Sequence, residues 1–322
     1  MIATRLTEHF DLAHPVLSAP MAKAAGGRLA AAVTRAGGLG FIGGAYCDAD
    51  WIARQFGEAG NLGVGCGLIT WALAERPHVL GEVLARRPRA VFLSFGDPAP
   101  FAQQVAAAGV PLICQVQTLR DARHSAGLGA AVIVAQGAEA GGHGEKRATL
   151  TLVPEVADML AREFPEVLLV AAGGIGDGRG LAAALMLGAD GVLVGSRLWA
   201  SDEALVPEAM HSAAIGATGD DTIRSSVMDV ARRLNWPERY SCRVLRNAFT
   251  DRWHGDLDGL LAAAEVEAPK GLAAFEAGDP DGSNTFVGEV AGLIDAVRPA
   301  GEIVGDMVAE AETLLAGGWR RA

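Results

Sequence analysis

The chain has 322 residues, half of them hydrophobic, and it carries a formal net charge of −11. A chain of this length and hydrophobic content can bury a sizeable core, in one large domain or two ordinary ones, which argues against a disordered protein. The acidic balance and the absence of any run of five basic residues argue against a nucleic-acid partner, because neutralising phosphates requires clustered Lys and Arg.

Eight apolar runs that end in Gly, Ser or Pro predict eight short strands. Stretches with helical periodicity lie between them, and strands that are apolar on both faces suit a parallel sheet covered by helices. Eight alternating units of this kind predict a (β/α)8 TIM barrel. The predicted strands span residues 15–19, 38–42, 62–69, 90–95, 110–116, 131–135, 167–172 and 191–194.

An open doubly wound sheet is the alternative fold. Such folds bind dinucleotides through a GxGxxG turn after the first strand, but residues 15–21 read Pro-Val-Leu-Ser-Ala-Pro-Met in that place. Glycine loops instead follow the seventh and eighth predicted strands, which is where barrels commonly bind phosphate. We therefore expect the barrel in residues 1–199.

The pattern changes after the eighth strand, where helical periodicity predominates and no further strand is predicted. We expect residues 200–322 to form a helical extension packed on the barrel, with an exposed loop at 277–285. Trp236, Trp253 and His254 could cover an active site, but aromatic residues on helices are more often core, and we interpret them as core. The predicted helices span 203–215, 221–234, 239–249, 257–264 and 303–315.

The cysteines, the N-terminus and the histidines show no pattern of export, membrane insertion or metal binding. The first ten residues carry charges where a signal peptide needs an apolar segment, and no apolar run approaches the ~20 residues of a membrane span, so a cytoplasmic protein is expected. The seven histidines lack HxH, HxxxH or HxxEH spacing, so no metal is expected. Without a CxxC pair, we expect buried, reduced thiols at Cys47, Cys66, Cys114 and Cys242.

The segment 136–144 is the strongest candidate for chemistry. It follows the sixth predicted strand and holds Gly141, Gly142, His143 and Gly144 in succession. Glycines let the backbone approach a ligand closely, and imidazole has the unperturbed pKa nearest neutrality, so a flat cofactor could lie against this loop with His143 beside it. The alternative is a turn histidine with a satisfied hydrogen bond and no ligand.

Two further glycine clusters predict a phosphate site. Gly173 and Gly174 follow the seventh strand, and Gly195 and Ser196 follow the eighth. Their backbone N–H groups, with the positive end of the following helix, would bind a phosphate without a cationic side chain, although Arg197 could add one. The alternative is a pair of tight turns that bind nothing.

Five characteristic motifs stand in order along the chain, at 19–22, 36–44, 136–143, 172–175 and 188–197. In these motifs, and over nearly its whole length, the chain resembles the nitronate monooxygenase family, formerly called 2-nitropropane dioxygenases. The resemblance implies an FMN-dependent barrel. It also implies that an alkyl nitronate, with propionate 3-nitronate as the suspected target, is oxidised with O₂ to a carbonyl compound and nitrite.

The resemblance also implies roles for individual residues. It places the flavin ring over Ala19, Pro20 and Met21 and makes His143 the catalytic residue. With a neutral nitroalkane His143 would remove the α-proton as a base, and with an anionic nitronate it would serve as a hydrogen-bond donor. The remaining residues that it implies at the cofactor are Gln136, Gly141 and Gly142 at the flavin and Gly173, Gly174, Gly195 and Ser196 at its phosphate.

Two positions depart from the family pattern. Many members carry an asparagine after the third strand that contacts the flavin, whereas residues 65–71 read Gly-Cys-Gly-Leu-Ile-Thr-Trp, which removes the basis for that contact. Lys23 stands where a small residue is common. We expect Lys23 either to lie near the flavin pyrimidine and favour its anionic reduced form, or to be a surface lysine.

Two alternative functions stay open. The same glycine-histidine loop occurs in flavin-dependent enoyl-acyl-carrier-protein reductases, which use NADH, although the segment 67–73 and the Trp-rich tail favour the nitronate reaction. The chain could also be a non-catalytic flavin- or phosphate-binding protein, but His143 stands at the family's catalytic position. Exposed apolar residues in so hydrophobic a chain make a homodimer the expected assembly.

Overall fold

Eight parallel strands closed into a barrel form the centre of the computed structural model, which describes residues 2–318. In chain order the strands are β1 (Val16–Ser18), β2 (Phe41–Gly43), β3 (Gly65–Ile69), β4 (Val91–Ser94), β5 (Leu112–Val116), β6 (Val132–Gln136), β7 (Gly142–Gly144), β8 (Leu168–Ala172), β9 (Gly191–Val194), β10 (Thr222–Ser225) and β11 (Ser241–Leu245). The barrel order is β1-β9-β8-β6-β5-β4-β3-β2, and a parallel bridge between Leu17 and Leu39 closes the ring. The eight predicted strands and the predicted barrel are confirmed.

Helices surround the barrel and cover one of its ends. They are α1 (Arg5–Phe10), α2 (Gly27–Arg35), α3 (Ala49–Ala59), α4 (Thr70–Glu75), α5 (His78–Ala85), α6 (Ala99–Ala107), α7 (Leu119–Gly127), α8 (Thr149–Glu163), α9 (Gly178–Met186), α10 (Ser196–Trp199), α11 (Glu208–Ile215), α12 (Val227–Ala231), α13 (Ala248–Trp253), α14 (Leu257–Ala262), α15 (Ala264–Ala277) and α16 (Ala300–Thr313). Short 3₁₀ segments lie at Gly219–Asp221 and Glu289–Leu293, and a final turn at Leu314–Gly318. Within residues 2–318 no helix combines the length and the apolar character needed to cross a membrane.

Two apolar layers stabilise the barrel, because alternate residues of each strand point inward and outward. The inner layer includes Leu17, Phe41, Phe92, Val134 and Val170. The helix α1 adds Leu6 and Phe10 to this layer at the amino ends of the strands. A capping box at Thr4 starts α1 and a left-handed Asp11 ends it. The outward-facing residues of the strands are buried under the helices, and together with them they form the larger of the two apolar clusters.

The last helix, α16, completes the ring of helices around the barrel. It packs against α9 on one side and α2 on the other, and it buries Ile303, Val304, Met307 and Val308. Residues 200–299, which we call the lid, are therefore inserted between the last barrel strand, β9, and α16. The predicted division after residue 199 stays a prediction.

The sequence patterns predicted a helical lid without strands, and this prediction is wrong in part. β10 and β11 replace parts of the predicted helices 221–234 and 239–249, and with β7 they form an antiparallel three-stranded sheet. Both segments are short and alternate polar with apolar residues, and they form strands because β11 pairs with β10 on one side and with β7 on the other. The prediction of an exposed loop at 277–285 is also wrong at the end of that range, because Ser283, Asn284 and Thr285 are buried.

Candidate active site

A cavity of about 450 Å³ lies at the carboxyl ends of the barrel strands, beneath the lid. Barrel enzymes carry their active sites at this end, because the loops from several strands converge there. The walls come from β3 itself and from the loops after β1, β2, β4, β6, β8 and β9, and the lid supplies the roof. Every site residue predicted from the sequence lines this cavity: Ala19, Pro20, Met21, Gln136, Gly141, Gly142, His143, Gly173, Gly174, Gly195 and Ser196.

The loop after β1 lies directly against the neighbouring strands. A Cβ atom on Gly67 would lie 2.3 Å from Cβ of Pro20, and a Cβ atom on Gly43 would lie 2.2 Å from the carbonyl oxygen of Met21. Neither position can hold a side chain. At Gly67, β3 therefore presents backbone to the cavity and no polar side chain.

The loops after β8 and β9 form a cradle of backbone N–H groups. Gly173 and Gly174 have φ angles of +102° and +73°, which L side chains rarely adopt. Within residues 2–318, the N–H groups of Gly173, Gly174, Gly195 and Ser196 donate to no other group. Ser196 Oγ accepts a hydrogen bond of 2.9 Å from the N–H of Gly288, which leaves its own hydroxyl hydrogen to donate. Such a cluster of donors suits an anion.

Arg197 adds no charge to this cradle. It is buried and donates to the carbonyl oxygens of Ala200 at 3.4 Å and Ala296 at 3.0 Å. Burial lowers the pKa of its guanidinium. The arginine thus connects the end of the barrel to the chain before α16, and the suggested phosphate contact is wrong.

Gln136 is held by hydrogen bonds at both ends of its amide. Its Oε1 accepts from Gln115 Nε2 at 3.1 Å and from Gln117 Nε2 at 2.7 Å. Its Nε2 donates to the carbonyl oxygen of His143 at 3.1 Å. Gln136 therefore fixes the backbone that carries His143, and its second Nε2 hydrogen remains for a ligand.

Two arginines of the lid bind the loop between β6 and β7. Arg224 donates to the carbonyl oxygens of Ala138 at 2.9 Å and Ala140 at 3.3 Å, and Arg243 donates to Ala138 at 3.0 Å. Arg243 also pairs with Glu289 at 2.7 Å. Burial lowers the pKa of Arg224 to about 10. The loop in front of His143 thus takes its shape from contacts with the lid.

His143 lies in β7, opposite Cys242 of β11, and its side chain is 8% exposed. Its Nε2 lies 2.9 Å from Oδ2 of the buried Asp229. The imidazole is stacked on the indole of Trp236, with ring centroids 3.4 Å apart and planes within 5° of parallel. The stack and the hydrogen bond together leave the ring a single orientation.

The environment of the ring favours its neutral form. Burial lowers the pKa of His143; the hydrogen bond and charge of Asp229 raise it in part, and the charge of Arg232 lowers it further. In a neutral imidazole, Nε2–H then donates to Asp229, and Nδ1 is the proton acceptor. Within residues 2–318 Nδ1 has no partner, and it keeps surface exposed in the cavity. The arrangement places a base with a fixed tautomer in the cavity.

Asp229 and Trp236 are functional residues that the sequence analysis missed. The available signal for Asp229 was an acid inside the apolar run 227–231, where it is 4% exposed. Trp236 lines the cavity and covers His143, so its interpretation as a core residue is wrong. The same interpretation is confirmed for Trp253, which packs with Val227 and Leu260. His254 is exposed and bonds Ser225 Oγ at 3.0 Å.

Lys23 borders the cavity but its ammonium group points to other partners. Nζ lies 3.5 Å from Oδ2 of Asp48 and 4.8 Å from the centroid of the Trp51 ring, and the side chain is 51% exposed. These contacts support the surface-lysine alternative.

The cavity has features of a flavin site and none of a metal site. Within the described part of the chain, no group of three or more His, Cys, Asp or Glu side chains is arranged to hold a metal ion. The four cysteines are buried and free of disulfides, as predicted. The flat wall at residues 19–21 and the N–H cradle at the far side would accept a planar ring with a phosphate group.

Known proteins resemble this chain over nearly all of its length. The family model described as nitronate monooxygenase matches residues 3–63 and 78–310. A nitronate monooxygenase of Neurospora crassa is 35% identical, over 92% of this chain and 89% of that protein. The structure of FabK from Thermotoga maritima superposes with a TM-score of 0.87, at 28% identity, over 99% of this chain and all of that one.

A nitroalkane oxidase from Streptomyces ansochromogenes superposes with a TM-score of 0.81, at 25% identity, over 97% of this chain and all of that one. The family match covers far more than half of the sequence, so the predicted resemblance and the predicted enzyme class are confirmed. The chain belongs to the nitronate monooxygenase family, whose members are flavin-dependent oxidoreductases.

Proposed function

We propose that the chain binds FMN in this cavity and uses it, with O₂, to oxidise alkyl nitronates to carbonyl compounds and nitrite. The observation that carries the proposal is the position of His143, whose Nδ1 has no partner among residues 2–318 and faces the cavity that the glycine loops also line. Membership of the family and the likeness to a nitroalkane oxidase support the same reaction.

The donor groups suit a flavin with a single phosphate. The backbone N–H groups of Gly173, Gly174 and Gly195, with the hydroxyl of Ser196, would hold the phosphate, and residues 19–21 would lie against the ring. When bound, FMN supplies electron transfer from the substrate and onward to O₂. All other steps depend on the side chains of the chain itself.

His143 would act on the substrate proton. Because Asp229 holds Nε2–H, Nδ1 is free to accept the α-proton of a neutral nitroalkane and so produce the nitronate. The imidazolium that results is stabilised by the buried carboxylate of Asp229, as in other His–Asp pairs. With a nitronate as substrate this proton transfer is not needed, and a ring that is protonated at a pH below its lowered pKa would donate a hydrogen bond from Nδ1–H.

Aromatic side chains surround the stack of His143 and Trp236. Tyr46, Trp71, Phe95 and Tyr240 pack edge-on around Trp236, with ring centroids 5.2 to 6.4 Å apart. Low polarity strengthens the electrostatic effect of Asp229 on the imidazole. Of these rings, Tyr46, Phe95 and Trp236 line the cavity and would contact the alkyl part of a substrate.

The test is anaerobic absorbance of the purified, flavin-loaded protein mixed with an alkyl nitronate or with NADH. Rapid loss of the oxidised flavin absorbance with the nitronate, and recovery with formation of nitrite when O₂ is admitted, is the expected result. A flavin that stays oxidised with several nitronates would refute the proposal.

The second candidate is an NADH-dependent enoyl-acyl-carrier-protein reductase. The likeness to FabK over the whole chain favours it. In the same experiment this candidate predicts direct bleaching of the flavin by NADH and no reaction with a nitronate. A protein inert to both reagents would instead revive the non-catalytic binding protein.

A further inference from the structure

Trp236, whose indole is stacked on the imidazole of His143, lies in a stretch of the lid without regular structure. Residues 232–240 form neither helix nor strand. The backbone N–H of Trp236 donates to the carbonyl oxygen of Leu234, two residues earlier, at 2.9 Å. A coil of this kind is more mobile than the elements that it connects and does not by itself fix a side chain. The position of the indole therefore depends on contacts with other parts of the chain.

One hydrogen bond joins this indole to the barrel. Nε1–H of Trp236 donates to the phenol oxygen of Tyr46 at 3.2 Å, and the two rings meet edge-on with their centroids 6.4 Å apart. Nε1–H is the one polar group of an indole, so its partner sets the rotation of the ring. Without this bond the indole is free to turn to other rotamers and to leave the imidazole.

The chain holds Tyr46 firmly on the barrel side. Tyr46 follows β2, and both of its neighbours have left-handed backbones, with φ angles of +47° at Ala45 and +63° at Cys47. Residues other than glycine keep such angles where surrounding contacts fix the chain, often at functional sites. Here the N–H of Ile69 donates to the carbonyl oxygen of Ala45 at 3.0 Å, and the side chain of Cys47 is buried. The loop therefore presents the phenol ring at a fixed place in the cavity wall.

The phenol is a neutral hydrogen-bond acceptor. Burial raises the pKa of Tyr46, and the charge of Arg232 and the hydrogen bond from Trp236 lower it only in part. An ordinary tyrosine ionises at about pH 10, far above the pH at which an imidazole changes its charge. Tyr46 therefore keeps the same form, and the same bond to the indole, over the whole range in which His143 titrates.

We propose that Tyr46 is a positioning residue of the active site: its phenol oxygen holds Trp236 in the stack that keeps Nδ1 of His143 directed into the cavity. Asp229 restrains the imidazole at one edge and the indole restrains it on one face, so the two contacts oppose different movements of the ring. The inference rests on the proposed function, because it treats His143 as the base that takes the α-proton.

The first test observes the stack without any reaction. The flavin-loaded protein is labelled with ¹³C at Cε1 of histidine, and the NMR signal of His143 is assigned by its loss in His143→Gln. A proton that lies over an aromatic face resonates at lower frequency because of the ring current. The native His143 signal should therefore lie at low frequency, and Tyr46→Phe should move it towards the position of an unstacked histidine.

Tyr240→Phe is the matched control, because Tyr46 and Tyr240 are the two tyrosines of the chain. Tyr240 also packs edge-on against Trp236, with ring centroids 6.1 Å apart, but the indole N–H donates to Tyr46. Both variants remove one hydroxyl and keep the ring. Tyr240→Phe should leave the His143 signal and the reaction rates as they are in the native protein.

The second test measures kcat/KM with a neutral nitroalkane, which needs the base, and with its nitronate, which does not. Tyr46→Phe keeps the ring that lines the cavity. It should lower kcat/KM for the nitroalkane by ~10-fold, the scale of one lost hydrogen bond, and mainly through kcat. The nitronate should react at nearly the native rate. An unchanged rate with the nitroalkane, or an equal loss with both substrates, would overturn the proposal.

A double-mutant cycle shows whether Tyr46 acts through Trp236. Trp236→Phe removes the indole N–H, so in that background Tyr46→Phe should have no further effect. Equal effects in both backgrounds would contradict the proposal, because they would place the phenol directly at the substrate or the flavin. A His143 signal that stays in place in Tyr46→Phe would contradict it as well. If the native protein oxidises neither substrate, the proposed function fails, and the NMR signal still decides whether Tyr46 holds the stack.

Discussion

At the scale of single residues, the pair of His143 and Asp229 carries the chemistry. Both side chains are more than 90% buried and their facing atoms are 2.9 Å apart. Removing one member of such a pair leaves the other buried without its partner, which typically costs about 3–5 kcal/mol for a charge. Substitutions here therefore need a measurement that separates activity from stability.

His143→Ala should retain FMN and lose activity on a neutral nitroalkane by ~10²-fold or more, the usual scale for a lost general base. It should also lower the unfolding temperature, because Asp229 loses its donor. His143→Gln can restore that donor but not the base, so it should recover stability without activity. His124→Ala, which removes an exposed hydrogen bond with Asp97, serves as the control. Full activity of His143→Ala would reduce His143 to a structural role.

Asp229→Asn tests the positioning of the imidazole. Because burial lowers the pKa of His143 below its usual 6.5, the acidic limb of kcat/KM for a nitroalkane should fall below pH 6.5 in the native protein. Asp229 raises that pKa, so Asp229→Asn should move the limb to still lower pH. The plateau should drop by ~10²-fold, since the tautomer is no longer fixed.

A nitronate substrate should be affected far less by Asp229→Asn, because it needs no base. Asp251→Asn, at an exposed acid paired with Arg246, is the control and should leave the profile in place. An acidic limb that does not move would show that Asp229 has no electrostatic effect on the reacting group.

At the scale of elements, loops that follow barrel strands supply the cofactor site. Gly174→Val, in the loop after β8, should weaken FMN binding, since the φ of +73° disfavours a branched residue and the Cβ would lie 3.3 Å from Cβ of Glu139. Equilibrium dialysis measures the change. Gly305→Val, at an open position on α16, should bind FMN normally. Full FMN occupancy in Gly174→Val would contradict the cradle.

The small sheet of β7, β10 and β11 is the second important element. It joins the strand that carries His143 to the lid that carries Asp229, so the catalytic pair depends on a tertiary contact and not on either segment alone. Hydrogen bonds between strands set the register, and a shift of one residue would turn His143 out of the cavity. The lid is thus part of the active site as well as its cover.

At the scale of the whole molecule, α16 returns after the lid to close the ring of helices. Each buried Ile, Val or Met contributes ~1.5–3 kcal/mol, so its four large apolar residues together approach the ~5–15 kcal/mol of a typical domain. A chain ending at residue 299 should therefore lose cooperative unfolding, measured by circular dichroism in urea. A chain ending at residue 313 keeps α16 and is the control.

An unchanged urea midpoint for the shorter chain would show that the barrel is complete without α16. Such a result would support the predicted division after residue 199. The loss of Glu310, which accepts a hydrogen bond of 2.8 Å from the N–H of Gly178 at the start of α9, is a further reason to expect the opposite.

The sequence by itself determined the barrel, the family and the glycine loops of the cavity. These features are local: an apolar strand followed by Gly173 or Gly195 can be read within about ten residues, and parallel strands bring all such loops to one end. His143 was identified for the same reason. It stands on one of these loops.

Only the tertiary structure decided which side chains act on His143. Asp229 and Trp236 lie in a lid whose short segments were predicted as helices and core, and they meet β7 through pairing between distant strands. Whether a buried side chain finds a hydrogen-bond or stacking partner depends on packing between segments far apart in the chain, and no local sequence pattern encodes that packing.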